Sequence, residues 1–305
     1  MNKLRSPLFY VGDKYKLMPQ LNKLFPKQIN TFYDVFVGGG SASLNTEANY
    51  YQFNDIDKNI MRLHKYLLEN TKNEKFDDFI NDMYKCIDSY GLTHSENKID
   101  DRIKEFKKLY KKTYFAKLNK EPYLKLREDY NSDQSQTKLL YLLLVYGFNH
   151  MTRFNKSGLF NLPVGNVDWN KNVTKALKHY GLFASENLPK LCNDDFEKFI
   201  KSRDFKAGDF VYIDPPYLIT SSEYNKGWGI EEEKRLYKTM DWLSSKNVSW
   251  GLSNIVSHKG NTNDVLIEWM KKYYVHEVTS NYISRFDNTV KNSQEVYITN
   301  DQKSS

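Results

Sequence analysis

Phe210-Val211-Tyr212-Ile213-Asp214-Pro215-Pro216-Tyr217 decides how this chain is read. Four apolar residues run into a carboxylate, two prolines and an aromatic ring. A short apolar run bounded this way predicts a buried strand that empties into a rigid loop. The prolines fix the backbone and remove two N–H donors. Asp214 and a neighbouring main-chain carbonyl can both accept hydrogen bonds from one exocyclic amino group. Tyr217 can stack on a planar ring. Together they make a pocket of acceptors that holds a nucleobase by its amino group. The bland alternative is a proline turn after a core strand.

The chemistry of such a pocket follows from the base. The amino nitrogen of adenine is a poor nucleophile, because its lone pair is delocalised into the ring. Two acceptors gripping its hydrogens push it toward tetrahedral geometry and stabilise the positive charge that develops. A methyl sulfonium held in line then transfers its methyl group directly.

Upstream lies a second α/β element. Thr31-Phe32-Tyr33-Asp34-Val35-Phe36-Val37 is strand-like, and Gly38-Gly39-Gly40 follows at once. A short segment with Ala42 and Leu44 suits a helix. A second strand, Tyr50-Tyr51-Gln52-Phe53, ends at Asp55. Ile60, Leu63, Leu67 and Leu68 then mark one helix face. A glycine-rich turn between strand and helix lets a ligand approach the backbone. An acid ending the next strand suits two ribose hydroxyls. The pair serves nicotinamide dinucleotides as well as S-adenosylmethionine, although G-x-G-x-x-G spacing is absent and no Walker lysine follows.

Residues 66–167 differ. Phe106, Leu109, Tyr110 and Tyr114 recur at helical spacing with lysines opposite, which predicts a core-facing stripe. Residues 139–146 predict a buried helix. A loop-rich stretch, residues 147–165, follows. After residue 168 the α/β rhythm returns: strands over 209–213 and 248–252, helices around Tyr237, Met240 and Leu243 and over 265–270, and two pairing strands over 275–282 and 295–299. An insertion over 66–167 thus splits one α/β domain formed by 1–65 and 168–305.

At 305 residues the chain can build a large core. Cys86 and Cys192 are far apart and read as reduced thiols of a cytosolic protein. The six histidines have no zinc-ligand spacing, so no metal is expected. No apolar stretch reaches membrane-spanning length, and Met1-Asn2-Lys3-Leu4-Arg5-Ser6-Pro7 is not a signal peptide. The net charge is +7. Residues 98–127 hold eleven Lys/Arg and four Asp/Glu, while the rest of the chain has 34 of each sign. The whole basic surplus therefore sits in one segment. It is either a solvated helix face or a surface for a polyanion such as DNA.

With these residues assembled, the chain resembles the Dam-type N6-adenine DNA methyltransferases, in which the cofactor half precedes a target-recognition insertion and the catalytic motif follows it. The motifs are Leu8-Phe9-Tyr10-Val11-Gly12-Asp13-Lys14, Asp34-Val35-Phe36-Val37-Gly38-Gly39-Gly40, Asn54-Asp55-Ile56-Asp57, Asp194-Asp195-Phe196 and Asp214-Pro215-Pro216-Tyr217. The resemblance implies a Rossmann-like class I methyltransferase sheet with a mainly helical inserted target-recognition domain. It implies S-adenosyl-L-methionine as cofactor and duplex DNA as partner. Tyr10 and Lys14 would lie near the methionine part, with Lys14 facing its carboxylate. Phe36, Gly38, Gly39 and Gly40 would border the cofactor, Asp55 would take the ribose, and Asp195 and Phe196 the adenine ring. Asp214 and the Pro215 carbonyl would grip the target amino group, Pro216 would stiffen the loop, and Tyr217 would stack on a flipped-out base.

Residues 147–165 are similar to the family's DNA-reading loop. There Phe148 would wedge into the duplex, Asn149 would contact phosphate, and Arg153 would read a base edge. Asn155 and Lys156 belong to the same DNA-binding loop, and Phe154 reads as core. GATC-methylating members carry a lysine at the position of Phe9, where it reads the first guanine. Phenylalanine cannot donate to guanine, which argues against GATC. Asn225-Lys226-Gly227-Trp228-Gly229 looks closer to restriction–modification relatives; the resemblance leaves open a restriction–modification role, with a cognate restriction endonuclease in the same system, or an orphan, epigenetic one. The rival readings are an N4-cytosine methyltransferase, which usually has serine at Asp214, an RNA or protein-amide methyltransferase, which usually has asparagine there, and a non-catalytic DNA-binding module.

Overall fold

The computed structural model describes residues 3–97, 100–220, 227–279 and 293–302. Its strands are β1 (Thr31–Asp34), β2 (Tyr50–Asn54), β3 (Lys190–Cys192), β4 (Phe210–Ile213), β5 (Ser249–His258), β6 (Asn261–Thr262), β7 (Tyr274–Val278) and β8 (Ser293–Thr299). They form one sheet in the order β3-β2-β1-β4-β5-β8-β7, with β6 paired to β5. The first five are parallel, and β8 runs antiparallel to both β5 and β7. This is the Rossmann-like class I methyltransferase sheet. Chain order reverses between β1 and β4, and the crevice beyond the carboxyl ends of the strands at such a switch point is where open α/β sheets bind ligands.

All residues of β1 and β4 are buried. Parallel strands covered on both faces read as continuous apolar runs, which is why these two are visible in the sequence. Helix Ile230–Ser245 lays Leu236, Met240 and Leu243 on Val211, Ile213, Trp250 and Leu252. Tyr237 from the same helix stacks on Trp269, with ring centroids 4.3 Å apart and planes at 8°. β1 ends at Asp34, three residues before the predicted stop. Val35 N–H still donates to Tyr212 O at 3.1 Å and Val37 N–H to Asn54 O at 2.9 Å, so the pairing continues up to the glycines. β7 and β8 pair as expected; residues 280–282 of the predicted strand lie outside the described residues.

The chain forms two compact units: residues 1–3, 14–56 and 189–305 in the first, and 4–13 and 57–188 in the second. These boundaries differ from the 65/66 and 167/168 read from the sequence. Helix Lys58–Asn70, with Ile60, Leu63, Leu67 and Leu68 buried, packs against helices Thr137–Tyr146 and Lys171–Glu186 of the second unit. A helical pattern states which face is buried but not what covers it. Residues 4–13 join the same unit, where Tyr141 donates to Pro7 O at 3.2 Å.

The stripe expected at Phe106, Leu109, Tyr110 and Tyr114 is not core. Helix Arg102–Tyr110 has no buried residue, and Leu109 is 63% exposed. The helix packs on helix Tyr114–Leu118, and Phe106 lies against Tyr110 at 5.3 Å. By contrast residues 139–146 are all buried, as the apolar block predicts. No helix among the described residues is long and apolar enough to cross a membrane.

Gly181 sits where helix Lys171–Glu186 meets the Thr71 carbonyl, and a Cβ there would collide with that oxygen. Overpacking of this kind costs about 1–3 kcal/mol. Gly181→Ala should lower the urea midpoint accordingly; an unchanged midpoint would show that the backbones do not approach this closely.

Candidate active site

Asp214 leaves β4 directly, so the strand places its carboxylate at the switch point. One oxygen lies 3.0 Å from Lys14 Nζ, and the other lies 3.0 Å from the Tyr217 hydroxyl. The same hydroxyl is 3.1 Å from Glu295 Oε1, which is also 3.7 Å from Lys14 Nζ. The Lys14 ammonium lies over the Tyr217 ring, 5.0 Å from its centroid. The side chains of Lys14 and Glu295 are buried, and Asp214 keeps 19% of its side chain exposed. A phenol has one proton, so Tyr217 donates to one carboxylate at a time. Burial pushes the Asp214 carboxyl above its ordinary range, while Lys14 and the Tyr217 hydrogen bond oppose that rise. Burial and Asp214 hold the Tyr217 phenol far above its usual value, so it stays neutral.

At the carboxyl end of β1, Asp34 is buried and accepts from Ser43 Oγ at 2.6 Å. Burial raises its carboxyl to about 7; Ser43 opposes this, and the negative charges of Asp214 and Asp55 add to it. Gly38 and Gly40 have φ of +46° and +77°, conformations that favour glycine. Asp55 Oδ2 accepts from Gly38 N–H at 3.0 Å and so ties the end of β2 to the turn. Beyond Gly40, the buried Ser41 hydroxyl has no partner among the described residues.

The ends of β2 and β3 are stitched together. Asn54 donates to Asp194 O at 3.0 Å and accepts from Asp194 N–H at 3.0 Å. Asp195 caps helix Phe196–Lys201, accepting from Glu197 N–H at 3.0 Å. It also takes both arms of Arg235, at 2.7 and 2.8 Å. Phe196 lies 5.6 Å from Phe36 and 5.7 Å from Trp228, with Arg235 over it at 4.3 Å. Trp228 donates to Glu233 at 2.6 Å. Glu233 is fully buried and also accepts from Tyr237, Asn254 and Asn263, at 2.5, 3.0 and 2.9 Å.

The first unit thus gathers Lys14, Phe36, Gly38, Gly39, Gly40, Asp55, Asp195, Phe196, Asp214, Pro215, Pro216 and Tyr217 around strand ends of one sheet. Tyr10 and residues 147–165 belong to the second unit. There Phe148 is 51% exposed, and Asn149 and His150 both have positive φ. Arg153 donates Nε and Nη2 to Asn161, each at 2.9 Å. Asn155 accepts from Ser157 and Leu159 N–H, and Lys156 is exposed. Phe154 packs on Phe160, with centroids 5.4 Å apart. Asn225 and Lys226 lie outside the described residues. Sequence reasoning missed Glu295, Arg235, Ser41 and Glu233. Glu295 is the third residue of β8, Ser293–Thr299, and nothing in the sequence ties it to Asp214 or Lys14. No group of His, Cys, Asp and Glu among the described residues has the arrangement of a metal site.

Residues 10–283 match the sequence profile of the D12 class N6 adenine-specific DNA methyltransferases. The chain belongs to this family. Type II methyltransferase M.FokI of Planomicrobium okeanokoites is 35% identical over 309 residues, which cover 97% of this chain and 43% of that protein. Modification methylase StsI of Streptococcus sanguinis is 32% identical, again over 97% of this chain and 43% of the relative. The chain therefore spans less than half the length of these two relatives. The DNA adenine methylase of Escherichia coli K12 is 23% identical over 91% of this chain and 88% of its own length. In this D12-class chain the family match runs through the glycine turn, the Asp214 motif and the whole segment between them.

Asp34 gives the site a pH-dependent stability. The folded state keeps the Asp34 proton up to about pH 7, while its ordinary value is 3.8. The folded state therefore binds more protons across that window, and this contribution to stability is lost as pH rises through the folded value. Asp34→Asn should gain unfolding free energy over the parent between about pH 5 and about pH 8 in paired denaturation curves. An equal difference at both ends would contradict the burial argument.

Proposed function

We propose that this chain methylates N6 of adenine in duplex DNA, with S-adenosyl-L-methionine as methyl donor. The observation that carries the reading is the Asp214 carboxylate at the carboxyl end of β4, held by Lys14 beside the glycine turn of β1. The residues at that turn fit the donor. Gly38 and Gly40 leave the backbone bare, Ser41 offers a buried hydroxyl without a partner among the described residues, and Phe36, Phe196 and Trp228 make an aromatic wall for a purine. Lys14 takes the methionine part, Gly39 lies along it, and Asp55 takes the ribose. When bound, the donor supplies a methyl group on a sulfonium.

The chain's own residues do the rest. Lys14 opposes the upward push that burial gives the Asp214 carboxyl and favours its anion. Asp214 and the Pro215 carbonyl accept the two amino hydrogens of adenine and favour the developing positive charge on nitrogen. Pro216 fixes the loop. Tyr217 donates its proton to Asp214 and turns the ring face away from Lys14 to the base. Asp195, already committed to Arg235 and the helix amides, holds Phe196 against the purine. The second unit acts as the target-recognition domain. Phe148 wedges into the duplex as the adenine is extruded, Asn149 meets phosphate, and Arg153, Asn155 and Lys156 line the same loop. The protein works in the cytoplasm as the modification half of a restriction–modification system, with a cognate endonuclease as a functional partner.

Mass spectrometry of nucleosides from treated DNA should find N6-methyladenine. Asp214→Ala should abolish it while calorimetry still detects donor binding; methyl groups on cytosine, RNA or protein alone would overturn the reading.

The raised Asp214 carboxyl also sets a pH limit. Protonation removes the acceptor, so kcat should fall with acid at a pH above the ordinary aspartate value of 3.8. Lys14→Met at saturating donor should shift that fall to still higher pH; an unshifted limb would mean that Lys14 does not hold the charge of Asp214.

Helix Arg102–Tyr110 and its flanking lysines should neutralise DNA phosphates. Reversing Lys104, Lys107 and Lys108 to Glu should flatten the slope of log Kd against log salt, by about 0.9 for each phosphate that the variant leaves without a cation. An unchanged slope would leave this helix a solvated face.

A further inference from the structure

We propose that Arg235 is a positioning residue for the methyl donor: it fixes the Asp195 carboxylate so that one remaining lone pair takes the 6-amino group of the donor's purine, and selection of adenine over a 6-oxo purine depends on it. The inference rests on the reading of S-adenosyl-L-methionine as donor and deepens it.

Asp195 follows β3 and opens helix Phe196–Lys201. Arg235 comes from a different element, helix Ile230–Ser245. The two meet beside the glycine turn of β1, since Phe196 packs on Phe36, two residues before Gly38. Trp228 belongs to the same wall. It lies 5.7 Å from Phe196 and 5.6 Å from Phe36, and buried Glu233 holds its indole N–H. Phe36 and Trp228 are half-buried, so part of the wall stays open to a ring.

A carboxylate has about four lone-pair sites. Asp195 Oδ1 accepts from Glu197 N–H at 3.0 Å and from Arg235 Nη1 at 2.7 Å. Oδ2 accepts from Arg235 Nη2 at 2.8 Å and from no other group among the described residues. One site on Oδ2 therefore remains. A two-pronged grip removes the rotation that a carboxylate otherwise keeps. The same hydrogen bonds from Arg235 hold the Asp195 carboxyl below its ordinary range, so it stays an anion. Nη1 also reaches Glu197 Oε2 at 3.3 Å, and the guanidinium carbon lies over the Phe196 ring, 4.3 Å from its centroid. One arginine thus secures both the acceptor and the ring beside it.

Adenine carries an amino group at C6 that can donate to the open site. Hypoxanthine carries a carbonyl there, which meets the carboxylate as a second acceptor. Its nearest donor is N1–H, one ring position away. A carboxylate free to turn would follow that proton. A carboxylate held by the arginine fork cannot, so its fixed direction separates the two purines.

The test is titration calorimetry of the chain without DNA, using S-adenosyl-L-homocysteine and S-inosyl-L-homocysteine. The parent should favour the adenosyl ligand by roughly 10- to 150-fold, the range for a hydrogen bond to a charged group. Arg235→Met keeps the length and loses the fork, and it should bring the ratio close to one. Arg235→Lys keeps the charge with a single contact and should restore the ratio only in part. Equal affinities in the parent would overturn the proposal without any variant. So would a methionine variant that loses both ligands by the same factor, the mark of a structural role. A lysine variant with the parental ratio would overturn it too, because charge alone would then suffice. A parent that binds neither ligand would sink the donor reading and this assignment with it. No DNA enters the measurement, so its outcome stands apart from whether adenine is the methyl acceptor.

Discussion

Burying a carboxylate raises its affinity for a proton, and a protonated Asp214 would be a poor acceptor for an amino group. Lys14, 3.0 Å away and itself buried, opposes that rise and favours the charged form. The pairing is not a simple one. Glu295 draws on the same ammonium, and the Tyr217 phenol stands between the two acids. A site of this kind is held together by mutual need: removing the cation would leave two acids in low dielectric, and removing the acids would leave a buried ammonium. The chemistry proposed for Asp214 depends on this balance.

The sheet makes the balance available to a ligand. β1 and β4 are neighbours, with Asp34 paired to Tyr212, so the glycine turn and Asp214 emerge side by side at the switch point. Asp55 ties the turn from β2, and Asn54 locks β2 to the start of the Asp195 segment. On the far wall, buried Glu233 gathers four donors and fixes the indole of Trp228. Each strand end thus carries one wall of the site, and hydrogen bonds to main-chain groups or buried acids hold each wall still.

What the sequence revealed follows the same physics. Residues 210–217 and 31–40 were legible because a buried parallel strand is a continuous apolar string, and the turn or loop after it keeps its chemistry contiguous. Lys14 was legible only through resemblance, and its partner in the structure, Asp214, is far away along the chain. Glu295 and Arg235 were not legible, because sheet assembly and helix packing alone bring them to Tyr217 and Asp195. Strand β3 has three residues and an exposed Lys190, too little for a period to show. The stripe at Phe106 and Leu109 has a core pattern, yet no partner among the described residues buries it. The boundary near residue 57 escaped for a related reason: helix Lys58–Asn70 looks the same whichever unit covers it.

A crystal structure of the chain with duplex DNA and a donor analogue lacking a transferable methyl tests the central claim most directly. The account predicts one adenine out of the stack, with N6 within hydrogen-bond distance of both an Asp214 oxygen and the Pro215 carbonyl, while Lys14 remains on Asp214. An extruded base whose amino group meets neither acceptor, or an Asp214 that turns away from the glycine turn, would contradict it.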